Sequence, residues 1–120
     1  MAKGKCVVVY TVSFSECFEI LAESEQDDVI ATIEILMERG VNLPFPYSSA
    51  IAGSRYGHMR ELRIQSGGNA IRVFYAFDPK RNAVLLTGGV KRGNQKRFYK
   101  QQIAIADAAY EAHLATLKKK

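Results

Sequence analysis

A glycine pair between two runs of strand-forming residues is the feature that most restricts the fold of this chain. Residues 58–77 read HMRELRIQSGGNAIRVFYAF. A two-residue hairpin turn needs positive φ, so Gly67-Gly68 predicts a tight turn between two antiparallel strands. Counting outward from that turn places Arg63 opposite Arg72 on one face. Like charges in that position destabilise a sheet, so the chain either supplies a counter-ion or binds an anion from outside.

The remaining sequence predicts one small sheet and three helices. Alternation and β-branched residues predict strands at Cys6–Val12, Met59–Gln65, Ala70–Phe77 and Ala83–Val90, with a turn at Asp78–Asn82. Phe14, Phe18 and Leu21 have helical spacing, and Ser13 or Ser15 can cap that helix. Ser24–Asp27 resembles a capping box for a second helix that Gly40 ends. Asn94 can cap a final helix through about Leu117.

The predicted element order is therefore βααβββα. It describes an α+β fold with a mostly antiparallel sheet, an N-terminal helical hairpin and a C-terminal helix. At 120 residues we expect one domain, 1–120. Val41–Tyr56 is a long connection, and long ordered loops in small domains are often functional.

The composition restricts the class of protein. Hydrophobic residues are 48% and charged residues 24% of the chain, as in a soluble globular protein. We find no membrane-spanning run and no signal-peptide pattern, and we expect a cytoplasmic protein with no membrane partner. Cys6 and Cys17 lack metal-ligand spacing, and His58 and His113 are far apart in sequence. We therefore expect no metal and no cofactor.

Charge is distributed unevenly along the chain. Residues 1–54 hold three basic and eight acidic residues, and residues 55–120 hold fourteen basic and four acidic ones. The halves thus carry −5 and +10. This asymmetry indicates that the second half meets a polyanion.

One face of the predicted sheet carries the candidate site. Glu61, Arg63 and Arg72 share it, with either Lys91 or Arg92, depending on the strand register. Two arginines on adjacent strands could hold one phosphate. The alternatives are a salt bridge from Arg63 to Glu61 and an Arg72 side chain that extends to solvent from a sheet edge.

Three further features are consistent with an anionic ligand. His58 could transfer a proton near neutral pH, although a lone histidine is more often a surface residue. Lys96 and Arg97 open the last helix, where cations oppose the helix dipole, and an external anion would offset this penalty. Tyr99 could stack on a base beside those cations.

The segments PYSSAIAGSRYGHMRELRI and RVFYAFDPKRNAVLLTGGVKR resemble the RelE/ParE superfamily of bacterial toxins, in particular its phage-derived, HigB-like branch. The resemblance covers the chain from about Val7 to the last helix. Three departures concern the end of the last strand and the helix start: Gly89 replaces a common aromatic, Phe98-Tyr99 replace Thr-Pro, and Gln102 replaces an acidic residue. Arg92 replaces a second lysine and keeps its charge.

This resemblance implies a RelE-like fold and a toxin that cuts messenger RNA on the ribosome without metal. The implied catalytic residues are Glu61, Arg63, Arg72 and Lys91, to which we add His58. Candidate RNA-binding residues are Arg55, Arg60, Arg92, Lys96, Arg97 and Tyr99. The implied partners are a helix-turn-helix antitoxin and mRNA on the ribosome, with operator DNA reached only through the antitoxin complex.

Two other functions stay open at this point. ParE-like members of the same superfamily inhibit DNA gyrase and cut nothing. A nucleic-acid-binding module without catalysis is the third possibility. The basic strand face favours the nuclease.

Overall fold

A computed structural model describes residues 5–118 and contains a five-stranded sheet with helices on both faces. The strands are β1 (Val8–Tyr10), β2 (Ser48–Ala50), β3 (Arg60–Ser66), β4 (Asn69–Phe77) and β5 (Ala83–Val90). The helices are α1 (Val12–Glu19), α2 (Glu23–Arg39) and α3 (Gln95–Lys118), and a short 3-10 helix covers Gly40–Asn42. The strand order is β1-β5-β4-β3-β2.

The sheet is mostly antiparallel, as predicted. Only β1 runs parallel to its neighbour β5, and the other pairs are antiparallel. The predicted α+β architecture, with an N-terminal helical hairpin and a C-terminal helix, is confirmed. The loop prediction for Val41–Tyr56 was incomplete, because β2 lies inside it and pairs with β3 at the sheet edge. Because strand β2 is only three residues long, its sequence has too little alternation to predict a strand.

The hairpin register follows from its turn. Gly67 and Gly68 have φ values of 53° and 88°, which is the positive region that the two-residue turn requires. Ser66 pairs with Asn69, and the ladder continues outward in strict alternation. This hairpin is held to α2 by hydrogen bonds from Ser66 Oγ to Asp28 (2.5 Å) and from Asn69 Nδ2 to Glu25 (2.8 Å).

Apolar side chains on the two faces of the sheet form two cores. Helices α1 and α2 cover one face, where Phe14, Val29 and Leu36 pack on Leu62 and Leu85. Helix α3 covers the other face. Its Ile103, Ala106 and Tyr110 are packed with Met59, Phe74, Ala76, Val84 and Leu86.

Helix ends agree with the sequence only in part. Asn94 Oδ1 accepts a hydrogen bond from the Arg97 N–H at 2.9 Å, which confirms the predicted cap of α3, and Gly40 ends α2 with φ 57°. The cap of α1 was predicted at the wrong residue: Thr11 accepts from the Phe14 N–H at 3.2 Å. Thr11 also donates to the Leu85 carbonyl, so packing against β5 selects it over the serines.

The predicted capping box of α2 was wrong as well. The N-cap is Ala22, two residues before Ser24, and it has no side chain that can accept a hydrogen bond. Glu25 still reaches back to the Ala22 N–H at 2.9 Å, so only half of the motif is present.

Candidate active site

Arg63 and Arg72 lie directly opposite each other on the sheet face that α3 partly covers. Glu61 lies two residues before Arg63 on β3, so alternation along the strand places it on the same face. The predicted pairing of the two arginines is thus confirmed. Two like charges in this position need a compensating group.

Glu61 lies between the two guanidinium groups. Its side chain is only 4% exposed, and its Oε2 is 3.1 Å from Nη1 of Arg63. Its Oε1 is 3.7 Å from Nε of Arg72. The salt bridge from Arg63 to Glu61, the alternative to phosphate binding, is therefore present. A single carboxylate neutralises only one of the two cations.

Arg72 is buried and does not extend to solvent from a sheet edge, which was the alternative for this residue. The residue is 5% exposed, and Nη1 donates to the Ile71 carbonyl at 3.1 Å. Within residues 5–118, its buried Nε–H has no hydrogen-bond acceptor, since 3.7 Å to Glu61 is too long for a hydrogen bond. A buried donor without an acceptor costs free energy, so this guanidinium is well placed to bind an additional anion.

A β-bulge decides whether Lys91 or Arg92 joins this face. Strand β5 has one extra residue at Leu86, because Phe74 pairs with Thr87 while Tyr75 pairs with Leu85. Beyond the bulge Gly89 pairs with Arg72, and the Lys91 N–H donates to the Ala70 carbonyl at 2.7 Å. Lys91 therefore lies on the same sheet face as Arg72. The turn length alone would have placed Arg92 there.

Lys91 adds a third cation beside the two arginines. Its Nζ lies 6.0 Å from the centre of the Tyr99 ring. Partial burial and the charges of Arg72 and Arg63 lower the pKa of Lys91 from its ordinary value, and Glu61 opposes this shift. These four charged side chains carry three positive charges and one negative charge, so the cluster has a positive excess.

Tyr99 closes the cluster from α3. Its hydroxyl donates to Oε1 of Glu61 at 2.7 Å, and its ring packs edge-on against Phe74 and Phe98. Burial and the hydrogen bond to Glu61 raise the pKa of Tyr99. Tyr99 was predicted to bind RNA, and the structure places its hydroxyl in contact with the Glu61 carboxylate.

Three predicted site residues lie outside the cluster. His58 Nε2 contacts the Tyr110 hydroxyl at 3.1 Å, and Tyr110 follows Tyr99 by eleven residues on α3, or about 16 Å of helix. Arg55 forms a salt bridge with Glu111 at 2.9 Å. Arg60 donates to Ser48 at 2.8 Å in a network with Tyr75, on the opposite face. Local sequence gave no indication of these contacts, because each joins distant segments.

The other predicted RNA-binding cations lie on the protein surface. Arg92, Lys96 and Arg97 are exposed around the start of α3, next to the end of β5 that carries Lys91. Lys100, one turn further along, is exposed as well. They make the surface around the start of α3 basic.

A cleft beside the arginines was not predicted from the sequence. The cleft has a volume of about 280 Å³ and is lined by Pro46, Tyr47, Arg63, Ile64, Gln65 and Arg72. Gln65 could have been found from alternation, because it follows Arg63 by two residues and shares its face. The loop residues could not, since their position depends on the pairing of β2.

Comparison with known proteins places the chain in a family. The family described as phage derived protein Gp49-like matches residues 16–111, which is most of the chain. A Mycobacterium tuberculosis protein named "Putative toxin HigB2" is 41% identical over 88 residues, which are 72% of this chain and 44% of that protein. The chain thus spans less than half of that relative's length.

A second relative has nearly the same extent as this chain. The Mycobacterium tuberculosis protein named "Putative toxin HigB3" is 39% identical over 99 residues, covering 82% of this chain and 85% of that protein. Within residues 5–118, no helix has the combination of length and apolar character that crossing a bilayer needs. The chain belongs to the phage-derived Gp49-like family and resembles the HigB toxins of toxin–antitoxin systems.

Proposed function

We propose that this toxin is a ribosome-dependent mRNA interferase that cleaves RNA through attack of a ribose 2′-hydroxyl. The observation that carries the proposal is the cluster of Arg63, Arg72 and Lys91 around one carboxylate, with an unpaired buried donor on Arg72 within the described residues. Guanidinium groups match phosphate oxygens in geometry and stay charged. The negative charge of a phosphate bound in this cluster would offset its excess of positive charge.

The reaction needs stabilisation of charge on the phosphate oxygens. The 2′-oxygen attacks the adjacent phosphorus, a new P–O bond forms, and the bond to the 5′-oxygen of the next nucleotide breaks. The products are a 2′,3′-cyclic phosphate and a free 5′-hydroxyl. Negative charge builds on the non-bridging oxygens during the attack, and Arg63 and Arg72 would stabilise it in their partly buried setting.

Proton transfers are assigned by position. When a phosphate draws Arg63 away from Glu61, the Oε2 atom of the carboxylate is free to accept the 2′-hydroxyl proton, while Oε1 keeps its hydrogen bond from Tyr99. Lys91 would protonate the leaving 5′-oxygen, a role that its lowered pKa favours. His58 receives no role in this scheme, because it contacts Tyr110 instead of the cluster.

Partners follow from the toxin–antitoxin family. We expect a cognate antitoxin of the helix-turn-helix type, mRNA on the ribosome as substrate, and operator DNA contacted only through the antitoxin complex. The protein would act in the cytoplasm, where mRNA is translated. The exposed cations at the start of α3 would contact RNA outside the scissile nucleotide.

A direct test compares Arg63→Ala with Arg39→Ala. Arg39 is an exposed arginine at the end of α2, and α2 packs on the opposite sheet face, so its substitution controls for loss of a positive charge. We expect Arg63→Ala to fold and to lose mRNA cleavage on translating ribosomes, while Arg39→Ala cleaves normally. If Arg63→Ala still degrades mRNA at the wild-type rate, its proposed role is wrong. If wild-type protein leaves RNA intact and inhibits gyrase supercoiling, the toxin is ParE-like.

A further inference from the structure

An aromatic segment beside Arg63 has no role in the cleavage scheme above. Phe45 is 68% exposed and Tyr47 is 40% exposed, with Pro46 between them. The centre of the Phe45 ring lies 5.2 Å from Cζ of Arg63. Single exposed apolar residues are ordinary on protein surfaces. Two exposed aromatic rings at the margin of a cationic cleft form a local surface suited to a flat ligand.

Backbone pairing fixes the position of this segment relative to the arginines. The Arg63 N–H donates to the Tyr47 carbonyl at 2.8 Å, and the next pair outward is Ser48 with Leu62. Tyr47 therefore lies opposite Arg63 and on the same face, which makes a row of Tyr47, Arg63 and Arg72 across neighbouring strands. Neighbouring strands are about 4.8 Å apart. An aromatic ring thus lies one strand away from the first guanidinium and two from the second.

The cleft at this row suits a small planar group. Its volume of about 280 Å³ lies just below the usual range for ligand pockets. Gln65 is exposed at its margin, and an amide offers both donors and an acceptor. Bases stack on aromatic side chains and are read by hydrogen bonds along their edges. The cleft therefore combines the two kinds of contact that a nucleobase needs.

We propose that Phe45, Tyr47 and Gln65 form a nucleobase subsite for a base adjacent to the scissile phosphate. This inference rests on the proposed RNA cleavage. The aromatic rings would stack on the base, and Gln65 would bind its edge and contribute to base preference. The neighbouring Arg63 and Arg72 favour a nucleotide over a protein segment as the occupant, because the same ligand then supplies the anion and the ring.

The chain has no tryptophan, which allows a specific binding assay. Phe45→Trp introduces a single indole at an exposed position next to Arg63. The probe is a short single-stranded oligonucleotide with 2′-O-methyl riboses, which the proposed reaction cannot cleave. A second oligonucleotide has the same length and phosphates but abasic sugars. Fluorescence of the indole reports stacking, and anisotropy of a dye on either oligonucleotide reports binding.

We expect both oligonucleotides to bind and only the base-containing one to quench the indole. In the otherwise wild-type chain, Tyr47→Ala should weaken binding of the base-containing oligonucleotide by roughly 5- to 150-fold and leave the abasic one unchanged. Tyr47→Phe keeps the ring and should retain affinity, which separates stacking from an effect on folding.

Two results would overturn the subsite in different ways. If both oligonucleotides bind equally and neither quenches the indole, the phosphate site stands and the base subsite is wrong. A protein partner would then be the better occupant of the aromatic segment. If neither oligonucleotide binds, the base subsite is overturned, whereas the proposed cleavage is tested separately by the Arg63→Ala comparison on translating ribosomes.

Discussion

At the scale of single residues, the site depends on one carboxylate between two guanidinium groups. Glu61 is buried and accepts hydrogen bonds from Arg63 and Tyr99, with Arg72 at 3.7 Å. It thus lets three cations lie close together before any ligand is bound. Its removal should affect both folding and the affinity for anions.

Glu61→Gln tests this role, with Glu111→Gln as its matched control. Both glutamates pair with an arginine, but the Glu61 side chain is 4% exposed and the Glu111 side chain 64% exposed. We expect Glu61→Gln to lower the free energy of unfolding by about 3 kcal/mol, because it leaves a buried arginine without a counter-charge. Glu111→Gln should cost no more than about 1 kcal/mol. Urea unfolding measures both, and equal losses would contradict a special role for the buried carboxylate.

At the scale of elements, two adjacent glycines in β5 have different surroundings. A Cβ on Gly88 would lie 2.6 Å from the Arg72 carbonyl oxygen and 3.2 Å from Cα of Val73. These are backbone atoms that cannot move separately. A Cβ on Gly89 would meet only Gln102 and Phe98 side chains at 3.7 Å, an ordinary contact distance.

Gly88→Ala and Gly89→Ala should therefore differ. We expect Gly88→Ala to destabilise the fold by about 1–3 kcal/mol, as overpacking does, and to displace the strand that carries Arg72. Gly89→Ala should change stability by less than about 0.5 kcal/mol. Thermal and urea unfolding of the two variants measure this difference in stability. A larger loss of stability from Gly89→Ala than from Gly88→Ala would contradict the close contact between Gly88 and the Arg72 backbone.

Asp78 joins the β4–β5 turn to α3. Its carboxylate accepts from the N–H groups of Lys80 and Asn82 at 2.9 Å, and its Oδ2 lies 2.8 Å from Nε2 of His113. Burial acts to raise the pKa of Asp78, but the hydrogen bonds from His113 and from the two backbone groups outweigh it and lower the pKa below 3.8. Such a group stabilises the fold above its ordinary pKa and loses that contribution as pH falls through the folded value.

Asp78→Asn should reveal this pH dependence. We expect the variant to be less stable than wild type by about 1–3 kcal/mol at pH 7. The difference should begin to shrink as pH falls toward 3.8 and decrease further below it. Urea unfolding from about pH 7 to about pH 3 measures the trend, with the exposed Asp27→Asn as control. A difference that stays constant over this range would contradict the charged role of Asp78.

The elements also show what could be predicted from sequence. The Arg63–Arg72 pairing was predictable, because turn chemistry and alternation are local. The bulge at Leu86, the pairing of β2 and the contact of His58 with Tyr110 were not, since each depends on segments far apart in the chain. Sequence could therefore narrow the third cation to Lys91 or Arg92 without choosing between them.

At the scale of the whole molecule, charge is separated along the fold. The acidic helices α1 and α2 cover one sheet face, and the basic residues around the start of α3 border the cluster on the other. Helix α3 is 24 residues long, or about 36 Å, and His113 near its far end contacts the β4–β5 turn. Lys80 and Lys118 therefore lie at the end remote from the site.

This separation predicts a local electrostatic effect. The double variant Lys96→Glu, Arg97→Glu should weaken RNA binding and make it less sensitive to salt. The slope of the logarithm of the association constant against the logarithm of the salt concentration should become shallower by about 0.7 for each phosphate that the variant no longer neutralises. The matched control Lys80→Glu, Lys118→Glu has the same net charge and should bind with nearly wild-type affinity and slope. Titrations at several salt concentrations measure this, and equal effects of the two double variants would indicate that only net charge matters.

The most direct test of the central claim concerns the attacking 2′-hydroxyl. After the cleavage site in a ribosome-bound mRNA has been mapped, a single 2′-deoxynucleotide is placed immediately 5′ of the scissile phosphate. We predict a 2′,3′-cyclic phosphate and a 5′-hydroxyl from the all-ribose mRNA, and no cut at that bond in the substituted one. Cleavage of the deoxy-substituted bond at an undiminished rate would contradict the proposed mechanism.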